Sequence, residues 1–224
     1  MLKPVYITAF DLPDAWCKCL KAVLENGYLY TINRGSFKNH KRKELDFVVV
    51  TVTNPSNQPL VPEIPKSIEL NVPAPSSMEY VNKYLQYLAT PLKEKTEEYT
   101  YGERLTGNIN QIEKVIHMYR EDGFGTNQAC MEIAIPSDID LTDPPCLRLI
   151  DTRIRYKQLH FIAYFRSWDL WAGFPSNLAA LQLLKEYMAR QIGVNDGVII
   201  ASSKGLHLYD YQFEWAKKRL SNTK

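Results

Sequence analysis

The residues best suited to chemistry fall in three short pieces. Cys146 closes the run Asp143-Pro144-Pro145-Cys146, and two prolines stiffen the approach and fix the direction in which its side chain leaves. A lone cysteine is more often buried and inert. Arg166, near the end of the following strand, shifts that balance, because a nearby guanidinium favours the nucleophilic thiolate. Arg166 also opens the stretch Arg166-Ser167-Trp168-Asp169-Leu170-Trp171-Ala172-Gly173-Phe174-Pro175-Ser176-Asn177-Leu178, which sets an arginine, a serine, an aspartate and an asparagine between an apolar strand and an apolar helix. Arg166 with Ser167 is either a strand-end ion pair and a turn serine, or a clasp for a phosphate, which a guanidinium binds bidentately. Asp169 can cap the following turn or accept from N–H groups of a ring. Gly173 lets backbone approach a ligand closely. Asn177 suits a helix N-cap or a base edge. In the third piece His207 and Tyr209 alternate along a short strand and so share one face.

The elements around these pieces are legible by period. Residues 4 to 9 suit a short edge strand. A helix follows from Asp14, with Trp16, Leu20, Val23 and Leu24 on one face and Gly27 at its end. Thr31 to Ser36 is a polar turn, and the basic run Lys38 to Lys43 reads as a solvated loop. Phe47 to Thr53 is a buried β-branched strand, and the proline-rich Asn54 to Pro75 is an irregular excursion. Ser76 and Glu79 form a capping box for a helix, and Asn110 with Glu113 starts another. Residues 129 to 135 suit a strand. Leu147 to Tyr156 and Leu159 to Arg166 alternate as a hairpin about Lys157-Gln158, with Asp151, Arg153 and Arg155 on one face. Ser176 or Asn177 opens the longest apolar helix, which stops at Gly193. Residues 197 to 201 and 206 to 209 suit strands, and Tyr211 to Leu220 an amphipathic helix. Strands and helices mix without regular alternation, so the expected class is α+β, one domain over residues 1 to 224 with one large mixed sheet flanked by helices.

Composition narrows the function classes. The 224 residues carry a net charge of only +2, which makes no case for nucleic acid or a membrane surface. No apolar run approaches the roughly 20 residues of a membrane span, and the N-terminus lacks the apolar core of a signal peptide. Cys17, Cys19, Cys130 and Cys146 form no C-x-x-C pair and do not cluster with the four histidines, so neither a metal site nor a disulfide framework is expected. Reduced thiols fit a cytoplasmic protein.

In their order, the Pro-Pro-Cys run, the Arg166 to Leu178 stretch and the His207-x-Tyr209 pair resemble the thymidylate synthase family, especially its short archaeal-type members. The resemblance runs well from about Tyr101 to Tyr211. It implies that Cys146 adds to carbon 6 of a pyrimidine, that Arg166 and Ser167 hold the nucleotide phosphate, and that Asp169 meets the pterin ring of a folate near Gly173. It puts His207 and Tyr209 at the deoxyribose 3′-hydroxyl. Arg34 in Asn33-Arg34-Gly35-Ser36 resembles a turn whose arginine closes on the phosphate. Tyr101 in Tyr101-Gly102-Glu103-Arg104 resembles a tyrosine near the reacting base. The amide of Asn177 can match the N–H and carbonyl of uracil, whereas cytosine suits the aspartate of related cytidylate hydroxymethylases.

This resemblance implies conversion of dUMP to dTMP with methylenetetrahydrofolate or a related methylene-bearing pterin such as methylenetetrahydromethanopterin, no metal, and a homodimer packed through sheet faces. Hydroxymethylation of a pyrimidine deoxynucleotide, with water ending the reaction, and nucleotide binding without turnover are the other readings. Four departures stand out. Leu147 replaces a histidine after the nucleophile, and Asn127-Gln128 falls where the family donates paired arginines across its dimer. No residue aligns with the catalytic glutamate. The sequence stops at Lys224, where longer members continue into a tail that closes over the folate.

Overall fold

The computed structural model describes residues 1 to 222 and contains two sheets. The strands are β1 (Pro4–Ala9), β2 (Tyr28–Thr31), β3 (Lys41–Leu45), β4 (Phe47–Val52), β5 (Cys130–Glu132), β6 (Leu147–Arg155), β7 (Gln158–Phe165), β8 (Trp168–Asp169), β9 (Asn195–Ser203) and β10 (Leu206–Tyr209). The helices are α1 (Leu12–Asn26), α2 (Met78–Ala89), α3 (Tyr101–Thr106), α4 (Gln111–Glu121), α5 (Gly173–Ile192) and α6 (Phe213–Ser221). The expected large mixed sheet has six strands in the order β1-β4-β9-β7-β6-β5. A second, four-stranded sheet, β2-β3-β10-β8, lies beside it and supplies one wall of the candidate site.

Helix α5 is the centre of the core. Phe174, Leu178, Leu181, Leu184 and Met188 are all buried along it. It packs against α1, α2 and α4, and against β7 and β9 of the large sheet. Even Lys185 is buried on this helix, its ammonium 2.9 Å from the Asp196 carboxylate, and loss of hydration lowers its pKa to about 8. Gly193 ends the helix in the left-handed conformation, at φ 84°.

Four boundaries depart from the sequence reading. The N-cap of α2 is Ser77, which accepts from the Tyr80 amide at 3.2 Å, while Ser76 instead meets the Ser176 hydroxyl at 2.8 Å. Helix α5 starts at Gly173 rather than at Ser176 or Asn177, because the Asp169 carboxylate accepts from the amides of Trp171, Ala172 and Gly173, each at 3.2 Å. Asn177 is therefore one turn inside the helix and caps nothing. The hairpin turn falls at Tyr156-Lys157, with φ of 54° and 58°, one residue before the expected pair. Lys41 to Lys43 is not a solvated loop. These residues form most of β3, paired on one side to β2 and on the other to β10. Arg42 pairs with the Glu44 carboxylate and Lys43 donates to the Leu24 carbonyl, so the strand keeps its backbone bonds without burying bare cations.

Candidate active site

Cys146 sits just before β6, tied to Arg166 at the end of β7. The Arg166 amide donates to the Cys146 carbonyl at 2.8 Å. Its guanidinium turns back under the loop, with Nε 3.1 Å from the Pro144 carbonyl and 3.2 Å from that of Pro145. On the other side Tyr101, the first residue of α3, accepts from the Leu147 amide at 3.3 Å. Cys146 is thus held by its neighbours' backbone and lies half-buried. Burial pushes that thiol above its ordinary value, Arg166 and then Arg42 pull it down, and Asp143 and Asp169 push it up. The expected thiolate is therefore not the resting form: desolvation outweighs the guanidinium.

Two hollows meet at Cys146 and Ser167. One, of about 520 Å³, is cationic, with Arg34, Arg42 and Arg166 on its walls along with Phe37, Tyr99 and Tyr209. Arg34 donates to the Leu141 carbonyl at 3.2 Å, which ties the turn after β2 to the loop leading into Cys146. Asp143 strengthens the tie by accepting from the Ser36 amide and hydroxyl. Arg42 escaped sequence reading inside its basic run. Strand β3 places it directly opposite Tyr209 on β10. Its Nε lies 3.1 Å from the Glu44 carboxylate, and its guanidinium sits 5.2 Å from the centroid of the Tyr30 ring.

The second hollow, of about 450 Å³, is lined by Tyr80, Lys83, Tyr84, Tyr87, Tyr101, Cys146, Ser167, Trp168, Asp169, Gly173 and Asn177. Asn177 Oδ1 accepts from the Trp168 indole N–H at 2.9 Å. The tyrosines of α2 form a file of rings, with Tyr80 stacked on Tyr84 at 6.4 Å and Tyr84 on Tyr87 at 5.8 Å. The Tyr84 hydroxyl is buried and has no hydrogen-bond partner among the described residues. Burial raises both the Tyr84 and Tyr101 phenols well above their ordinary range, so both remain protonated donors. A capping box followed by apolar tyrosines reads in sequence as a core face, which is why this wall was missed.

A further hollow continues outward past Asp169, Gly173 and Asn177 to Ser76, Ser77 and Tyr80. Asp169 itself is heavily engaged: besides the three amides, Gln212 donates to it at 3.1 Å. Burial raises its pKa, and those hydrogen bonds oppose the rise. A Cβ on Gly173 would lie 3.4 Å from Asp169 Cβ and 3.7 Å from Asn177 Oδ1, so glycine keeps the floor between them low.

His207 and Tyr209 share a face of β10, their rings 4.8 Å apart at 82°. His207 Nδ1 is 2.8 Å from the Gly205 carbonyl, so it carries the proton, and the bare Nε2 is buried without a partner among the described residues. Burial and the cations Arg42 and Arg166 depress the imidazole to a pKa of about 3. It is neutral, and the 3.8 Å approach of Glu44 is not an ion pair.

Of the ten sequence-nominated residues, Arg34, Tyr101, Cys146, Arg166, Ser167, Asp169, Gly173, Asn177 and Tyr209 line the two hollows that meet at Cys146 and Ser167, while His207 is buried behind the Tyr209 ring. Gln128, from the pair that stands where the family places its cross-dimer arginines, lines a separate hollow of about 720 Å³ with Glu103, Lys114 and Cys130, larger but without any of the ten. No group of three or more His, Cys, Asp or Glu among the described residues is arranged to hold a metal ion. No helix among them is long and apolar enough to cross a membrane.

Comparison with known proteins gives a consistent result. The family model described as thymidylate synthase matches residues 84–224. Two relatives bear the name "Putative thymidylate synthase". The one from Methanosarcina mazei is 31% identical over 211 residues, covering 93% of this chain and 91% of its own. The one from Methanococcoides burtonii is 31% identical over 216 residues, covering 95% and 93%. The solved thermostable thymidylate synthase A from Bacillus subtilis superimposes with a TM-score of 0.70 at 15% identity, covering 94% of this chain and 84% of that one, which is a likeness of fold. A family match over more than half of the sequence, with relatives above 30% identity along nearly all of it, means that this chain belongs to the thymidylate synthase family.

Proposed function

We propose that this protein is a thymidylate synthase-like methyltransferase that converts dUMP to dTMP. The observation that carries this reading is that Cys146 stands where the three-arginine hollow meets the hollow containing Asn177. A deoxynucleotide lying across that junction puts its phosphate among Arg34, Arg42, Arg166 and Ser167. Its deoxyribose 3′-hydroxyl then meets His207 and Tyr209. The bare His207 Nε2 is an acceptor suited to that hydroxyl proton. Its base meets Asn177 beside the Cys146 thiol.

In this mechanism the Cys146 sulfur forms a bond to carbon 6 as its proton passes to solvent, helped by the two nearby guanidinia. The electrons of the broken double bond make carbon 5 a nucleophile, with charge spread onto the carbonyl at carbon 4. Asn177 Nδ2 and the protonated Tyr84 hydroxyl are donors for that oxygen in a low-dielectric site. A methylene-bearing reduced pterin supplies the one-carbon unit and the hydride. Methylenetetrahydrofolate or methylenetetrahydromethanopterin would lie over the Tyr80 to Tyr87 rings, with Asp169 and Gly173 at its pterin edge. The aromatic faces and adjoining hollow suit a flat ring. Carbon 5 bonds the one-carbon unit and gives up its proton to solvent. Hydride delivery to that unit drives cleavage of the sulfur–carbon 6 bond, which restores the 5,6 double bond and lets Cys146 regain a proton from solvent. The same reading makes the protein a cytoplasmic homodimer and requires no nucleic acid.

The test is to incubate the protein and dUMP with each methylene pterin and weigh the nucleotide product. A gain of one methyl group supports the proposal. A hydroxymethyl product, or none with any donor, contradicts it.

A further inference from the structure

An asparagine amide selects uracil only if it cannot turn over. Uracil offers an N–H at ring position 3 and a carbonyl at position 4, whereas cytosine offers a bare nitrogen and an amino group. An amide rotated by 180° matches cytosine as well as the unrotated one matches uracil. Something must therefore fix the orientation of Asn177.

We propose that Trp168 is the positioning residue that locks Asn177 for uracil. The proposal rests on reading the Cys146 hollow as the site of a pyrimidine nucleotide. The indole N–H of Trp168 lies 2.9 Å from Asn177 Oδ1. An indole nitrogen only donates, so the amide oxygen must face it and the amide NH₂ must point away. Rotation of the amide would set two donors against each other beside a side chain that is 1% exposed. The indole itself cannot give way. It is stacked on Phe165 at 4.0 Å and 5°, and Phe174 packs against it at 4.5 Å. Its backbone is fixed between β-ladder and loop, with the Trp168 amide donating to the Gly205 carbonyl at 2.8 Å. Asn177 in turn is held by α5 and lines the hollow with Cys146. The locked amide offers its NH₂ to the carbonyl at position 4, and its oxygen keeps a second lone pair for the N–H at position 3. Cytosine would meet donor against donor and lone pair against lone pair.

The experiment measures equilibrium binding of dUMP and dCMP to wild type and to Trp168→Phe. A second variant replaces Trp168 with benzothienylalanine, which keeps the bicyclic shape and deletes only the N–H. Wild type should bind dUMP at least tenfold more tightly than dCMP. Both variants should lose at least tenfold of that ratio, mainly by gaining affinity for dCMP, while dUMP binding changes little. A merely structural tryptophan would weaken both nucleotides together and leave the ratio alone. An unchanged ratio in the benzothienylalanine protein overturns the role of Trp168 while the nucleotide reading stands. Failure of wild type to bind either nucleotide overturns that reading, and the role of Trp168 with it.

Discussion

Arg166 and Cys146 are joined through the main chain: the Arg166 amide donates to the Cys146 carbonyl at 2.8 Å, while the Arg166 side chain grips the carbonyls of Pro144 and Pro145. The guanidinium thus serves twice, as a brace for the cysteine loop and as the foremost charge lowering a thiol that burial has raised. Removing the cation should leave burial unopposed. Arg166→Gln should shift the pH profile of Cys146 alkylation by iodoacetamide to higher pH. A profile that stays in place, read by peptide mass, would mean that this arginine does not govern the thiol.

Arg42 should behave as a phosphate ligand supplied within the chain, where Asn127-Gln128 offers no charge. One charge-assisted hydrogen bond contributes on the order of 1.5–3 kcal/mol. Arg42→Gln should therefore weaken dUMP binding by about tenfold or more, yet leave deoxyuridine, which has no phosphate, almost unaffected. Equal losses for the two ligands in calorimetric titration would show that Arg42 acts only through Glu44 and the packing of β3.

Much of the candidate site is legible in the sequence, and the reason is local. The Pro-Pro-Cys run, Arg166 to Asn177 and the alternation of His207 with Tyr209 are short pieces whose residue types speak for themselves. What could not be read depends on pairing between distant segments. Arg42 looked like part of a solvated basic run, and only the register of β3 against β10 sets it opposite Tyr209. The partners of Asp169 likewise come from its own turn and from Gln212, so the carboxylate caps α5 and displaces Asn177 from that role. The second sheet stayed hidden for the same reason, since β2 and β8 are too short to announce themselves by period.

The Tyr84 hydroxyl gives a prediction in which stability and activity part company. It is buried without a partner among the described residues, so Tyr84→Phe should leave the unfolding free energy unchanged or higher. If that hydroxyl donates to the charge developing on the pyrimidine, kcat should fall, on the order of 10²-fold. Urea unfolding and steady-state kinetics read the two effects separately. Unchanged kcat would reduce Tyr84 to a packing residue.

His207 makes stability depend on acid. Its folded pKa of about 3 lies below the ordinary histidine value of 6.5, so the folded state favours the neutral ring. That stabilisation is complete above about pH 6.5 and is lost progressively as pH falls toward 3. Between pH 7.5 and pH 5 the loss from this group is about 2 kcal/mol, at 1.36 kcal/mol per unit. His207→Gln should flatten the dependence of unfolding free energy on pH over that range by about this amount. Parallel curves for wild type and variant would show that His207 titrates normally.

The central claim is that Cys146 attacks the pyrimidine of dUMP, and its most direct measurement uses 5-fluorodeoxyuridylate. Fluorine cannot leave carbon 5 as the proton does, so a turnover that starts is trapped with sulfur bonded to carbon 6. With the methylene pterin that supports product formation, intact-mass analysis should reveal a covalent complex with the nucleotide. Peptide mapping should locate it on Cys146, and Cys146→Ala should bind the nucleotide without forming the complex. Attachment to Cys17, Cys19 or Cys130, or undiminished product formation by Cys146→Ala, would contradict the account.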